Sequence, residues 1–211
     1  MPPNSDETKT PSAVVRGFRR TYATLGFSKG YNALLWFHLA GAMFGFCLAR
    51  TPYLDVDTYF RKNAAPGEWF YFRQPFYRAG IILHLAVVIP AGILAAVQFT
   101  PRLRHEALII HRINGYVIIL LVTLANVSGL MIARRSFGGT VETQMFVGLL
   151  ALATTVSMVM AWVNIKRLQI AQHRAWMLRC VSPLQEHISS ACQLMLRPNS
   201  GPTWAPQSPY A

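Results

Sequence analysis

The chain has 211 residues, of which 53% are hydrophobic and only 13% charged, whereas a soluble domain carries about 25% charged residues. That deficit excludes a disordered chain, a coiled coil and an ordinary cytosolic enzyme domain. The formal charge is +12, but the basic residues fall between long apolar runs, so they read as membrane topology; no nucleic-acid partner is expected.

Residues 1–30 form a polar segment that contains Arg16, Arg19 and Arg20. It lacks the apolar run and cleavage site of a signal peptide, so the first hydrophobic run is expected to be an uncleaved anchor. A spanning helix needs about 20 mostly apolar residues, because the hydrocarbon core is ~30 Å thick. Residues 33–49, 79–99, 113–133 and 145–163 meet that need, and none of the four segments contains Lys, Arg, Asp or Glu. Lipid gives backbone groups no hydrogen-bond partner, so these spans must be helical.

A fifth segment, 175–196, carries polar residues at 179, 182, 186, 190 and 193. That spacing draws a polar stripe down one helix face. The segment is expected to span with the stripe turned into the bundle, the other solution being a helix flat on the membrane surface. The reading is thus an all-α integral membrane helical bundle over residues 31–196, with four spans and a fifth. The loop 51–78 is dense in aromatics and reads as an interfacial belt or a lid over a cavity. Residues 197–211, rich in Pro and Ser, are expected to be disordered.

An N-terminus on the cytoplasmic side puts 12 Lys and Arg inside and 8 outside, which favours that orientation in a multi-pass protein surrounded by membrane lipids. Cys47, Cys180 and Cys192 follow no metal or disulfide spacing and read as small buried hydrophobes. Gly41 and Gly45 form a GxxxG pattern that reads as helix packing.

An imidazole inside the hydrocarbon layer costs free energy unless it is paired, ligated or turned to a polar cavity. His84 falls within the second span and His187 within the fifth, while His111 and His173 lie at inner helix ends. One use for such imidazoles is axial ligation of haem b. His111 and His173 match in depth and form the first candidate iron-ligating pair, with Arg112 and Arg174 beside them to neutralise propionates. His84 and His187 form the second, at ~7 Å and ~12–14 Å from the outer boundary. This gives a membrane redox protein with an electron donor. The alternative is acid–base chemistry. Glu186 is the only carboxylate inside a candidate span, and an apolar site raises a carboxyl pKa until it can donate a proton. Glu186, His187 and Arg179 would then cyclise or isomerise a lipophilic small molecule. Simple packing is the bland counterpart: His84 hydrogen-bonded to Asn126, Thr123 or Ser128, and Glu186 paired with Arg179. A non-enzymatic membrane helper or carrier would follow from it.

From Arg78 to Arg179 the order of His84, Gly92, Gln98, Phe99, Arg102, His111, Arg112, Gly115, His173, Arg174, Trp176, Met177 and Arg179 resembles a family of small integral membrane proteins of fungi and bacteria of unknown function. Arginine commonly follows the glycine of that family's His-Arg-x-x-Gly motif, whereas Tyr116 stands here. The resemblance implies a helical bundle. The layout of its histidines is similar to that of membrane b-type cytochromes, an analogy of arrangement only.

Overall fold

The computed structural model describes residues 13–64 and 67–181. Among these residues there is no strand, and the helices run in the order α1 (Ala13–Thr24), α2 (Gly30–Arg50), α3 (Arg61–Asn63), α4 (Glu68–Phe72), α5 (Pro75–Gln98), α6 (Pro101–Glu106), α7 (Leu108–Ala133) and α8 (Val141–Lys166). Residues 170–181 form a further helix, α9. The helices agree with the expected all-α helical bundle, and the chain divides into two compact units, Met1–Gly148 and Leu149–Ala211.

Among the described residues, four helical stretches are long and apolar enough to cross a membrane: Gly30–Leu54, Pro75–Gln98, Leu108–Ala133 and Val141–Lys166. Each extends beyond the corresponding charge-free run of the sequence by a few residues at one or both ends. Helices continue into flanking polar residues because a helix end needs hydrogen-bond partners and the membrane boundary supplies them. Of the fifth segment expected over 175–196, residues 175–181 are helical and belong to α9; residues 182–196 and the tail 197–211 lie outside the described residues.

In the first unit α5 lies antiparallel along α7, and α2 packs on α5. Lipid tails are as apolar as Leu, so burial alone does not hold such helices together; close packing and interhelical hydrogen bonds do. Close packing comes from glycine. A Cβ at Gly80 would stand 2.7 Å from Cγ2 of Ile132, and one at Gly92 would stand 2.7 Å from Sγ of Cys47. Large apolar side chains such as Phe37, Ile109 and Leu120 point outward, as lipid-facing residues do.

The loop 51–78 has helical structure of its own. A 3-10 turn (Thr51–Leu54), one wide helical turn (Val56–Phe60), α3 and α4 fold it into a cap. Val56, Phe60 and Phe72 join Ile81 and Leu85 of α5 and Ile132 of α7 in one buried cluster, with Tyr53, Trp69 and Tyr77 packed against it. Phe60 and Phe72 stack at 5.2 Å between centroids, tilted by 59°. The Asp55 carboxylate caps the wide turn by accepting from the Thr58 N–H at 3.1 Å, and the Glu68 carboxylate accepts from the Phe137 N–H beyond α7.

The second unit pairs the later part of α8 with α9. Cys180 Sγ reaches the Thr154 carbonyl at 3.7 Å, and Thr154, Ser157, Met158 and Ala161 are buried.

Candidate functional site

His84 lies half-buried on α5, in the apolar middle of its sequence. Its Nδ1 is 3.1 Å from the Ala125 carbonyl and 3.3 Å from Ser128 Oγ, both on α7. A carbonyl only accepts, so Nδ1 carries the proton and Nε2 carries the lone pair of the neutral ring. Ser128 is fully buried; its hydroxyl donates to the Leu124 carbonyl at 2.8 Å, which leaves the oxygen to accept from His84. Gly129 makes room, since a Cβ there would stand 3.4 Å from Cε1 of the imidazole. Ile81 and Leu85 flank His84 in sequence and belong to the cap core, so the imidazole lies at the cap end of the α5–α7 pair.

A second polar clamp closes the other end of the pair. The Asn114 side-chain amide donates to Gln98 Oε1 at 2.7 Å and to the Leu94 carbonyl at 3.1 Å, and Gln98 Nε2 donates to the His111 carbonyl at 2.9 Å. His111 thus enters this clamp through its backbone. Seventeen residues of α7 separate His111 from Ser128, about 25 Å at 1.5 Å per residue. His84 and His111 therefore cannot share one iron.

The expected pairs draw on both units. His111 belongs to the first unit and His173 to the second. His173 repeats the device of His84, with Nδ1 donating to the Ala161 carbonyl at 2.9 Å. Arg112 and Arg174 are exposed. Arg179 stacks over the Trp176 ring at 4.6 Å. Glu186 and His187 lie outside the described residues, as does the polar stripe beyond 181. Tyr116 is 55% exposed. No group of three or more His, Cys, Asp or Glu able to hold a metal occurs among the described residues.

Sequence reasoning anticipated Ser128 as a partner of His84 but missed the Gln98–Asn114 pair. The signal was available, since both amides stand within or at the edge of apolar runs and an amide there needs a partner. It also missed that several residues of the family pattern hold helices together. Gly92 admits α2, Gln98 joins α5 to α7, and Arg102 donates from its guanidinium to the Thr24 carbonyl at 3.1 Å.

A chain with several apolar spans, two of them joined by part-buried polar clamps, is a multi-pass integral membrane protein. The profile of the family described as predicted membrane protein (DUF2306) matches residues 81–196, and the chain belongs to that family. It is also similar to Ava biosynthesis cluster protein G of Aspergillus versicolor, with 25% identity over 130 residues. The matched region is 54% of this chain and 38% of that protein, so the chain spans well under half of its relative. No solved structure matches the chain.

Proposed function

We propose that this membrane protein is a catalyst of specialised metabolism that moves a proton on a lipophilic intermediate, with its N-terminus cytoplasmic. The observation that carries the reading is the fixed tautomer of His84. The Ala125 carbonyl holds the proton on Nδ1, so Nε2 is the basic nitrogen, in an apolar layer beside an aromatic cap. A general base needs that combination of a defined lone pair and an orienting partner. Kinship with a protein named for a biosynthesis cluster supports the metabolic setting. Glu186, with His187 and Arg179, supplies the complementary acid in this reading.

Haem b is the second reading, and one observation favours it. His84 and His173 both donate Nδ1–H to a backbone carbonyl, the outer hydrogen bond that orients metal-ligating imidazoles. The chain would then hold haem through such imidazoles, and an electron donor would serve it.

An absorption spectrum of purified protein expressed with added haem, oxidised and then dithionite-reduced, separates the two. Proton chemistry predicts no Soret band. It also predicts that His84→Ala removes a metabolite from producing cells while the protein stays folded. A Soret band with sharp reduced bands overturns it in favour of haem. An unchanged metabolite profile in folded His84→Ala, with no Soret band, overturns both and leaves a non-enzymatic helper or carrier.

A further inference from the structure

We propose that α1 is a membrane-surface helix that binds anionic lipid headgroups, held at the membrane face by Arg102. The sequence of α1, AVVRGFRRTYAT, has apolar residues at 14, 15, 18 and 22 and arginine at 16, 19 and 20. Apolar residues on one helical face with arginine between them suit a helix lying in the interface plane rather than one that spans. Its place in the fold agrees, since only a short link separates it from the first apolar span, Gly30–Leu54.

The end of α1 is built to dock. Gly26 N–H donates to Ala23 O at 2.9 Å and Phe27 N–H to Tyr22 O at 3.1 Å, the paired bonds of a glycine-terminated helix end. Gly26 adopts φ +83, and a Cβ there would stand 3.0 Å from the backbone nitrogen of Arg102. The leftover carbonyls are taken by the start of α6. Arg102 N–H donates to Leu25 O at 3.2 Å, and the Arg102 guanidinium donates to Thr24 O. Latched this way, α1 ends at the junction between α5 and α7.

Charge selects the partner. Arg19, Arg20, Lys29, Arg104 and Arg112 are all exposed on the segments that meet here. The described carboxylate of these segments, Glu106, is already paired with Arg102 at 2.6 Å. An anionic headgroup layer is the complementary surface, and each basic residue near it adds attraction that salt screens.

The test uses the full chain in nanodiscs of phosphatidylcholine alone or with phosphatidylserine, read by amide hydrogen exchange in α1. Exchange is expected to slow with phosphatidylserine, by up to about five-fold for each arginine engaged, and to recover as salt is added. Arg19→Gln with Arg20→Gln should abolish the lipid dependence while α5 and α7 exchange as before. Arg102→Gln should speed exchange at the end of α1 in both lipids. Equal exchange of wild-type α1 in the two lipids at low salt overturns the proposal, as does a lipid dependence that survives both arginine changes. The wild-type lipid and salt series decides the matter even where a variant fails to fold.

Discussion

Asp57 and Arg78 meet as a two-pronged ion pair, with guanidinium nitrogens 2.7 and 2.6 Å from the two carboxylate oxygens. The bond ties the wide turn of the cap to the first turn of α5. The hydrogen bond from Arg78 holds the Asp57 carboxyl below its ordinary value of 3.8, with the positive charges of Arg78 and Arg61 adding to it. A carboxyl whose folded value is lowered contributes stability that is complete above its unfolded value. That contribution disappears as pH falls through the folded one. Trp69 fluorescence should therefore report loosening of the cap below about pH 4, and Asp57→Asn should loosen it at neutral pH. Both groups are partly exposed, so the effect should be small and local. An acid response unchanged in Asp57→Asn would show that another group controls the cap.

The two α5–α7 clamps should act independently. His84→Ala removes the bond to Ala125, and Asn114→Ala removes those to Gln98 and Leu94. Each change should cost about 1 kcal/mol, the usual worth of hydrogen bonds between membrane helices. Asn114 stands 11 residues along α7 from Ala125, about 16 Å, so the losses should add in the double variant. Reversible unfolding in mixed micelles measures this, and a strongly non-additive result would mean that the clamps share a transition.

Glycines on α2 and α5 should respond differently. Gly92→Ala drives a methyl to 2.7 Å from Cys47 Sγ and should lower stability by about 1–3 kcal/mol through overpacking. Gly41→Ala and Gly45→Ala meet nothing within 4 Å and should be neutral or slightly stabilising, since Ala is the better helix former. Thermal unfolding of the three variants checks the contrast. A loss at Gly41 would reveal a second chain seated on that face.

Gly26 should not tolerate a side chain. Gly26→Ala places a Cβ in a left-handed residue and against the Arg102 backbone, at a cost of about 1 kcal/mol or more. Proteolysis near residue 26 should become faster, while the α5–α7 pair keeps its stability. Wild-type cleavage rates would argue against the latch.

The four spans were legible because charge-free runs of that length have one physical solution in a bilayer. The cap was not. Helices as short as α3 and α4 have no independent stability, and what orders them is Phe60 and Phe72 meeting Ile81 and Ile132 across long sequence separations. His84 could be recognised as needing a partner, and Ser128 was among those foreseen, because an imidazole in an apolar run is conspicuous. Which of its nitrogens bears the proton depended on the Ala125 carbonyl, a backbone group that no side-chain pattern reports. The Gln98–Asn114 bond likewise needed the antiparallel register of α5 on α7, which hydropathy does not set.

The cap also imposes an order of events during synthesis. Its aromatic core needs Ile132, and Glu68 needs the Phe137 N–H, yet Phe137 is made 65 residues after Phe72. At 5–20 residues per second that delay is roughly 3–13 s. Throughout it, Phe60 and Phe72 have Ile81 and Leu85 of α5 to close on but not Ile132 of α7. Nascent chains halted before α7 should therefore be the species that quality-control factors recognise, and release should coincide with arrival of the α7–α8 turn.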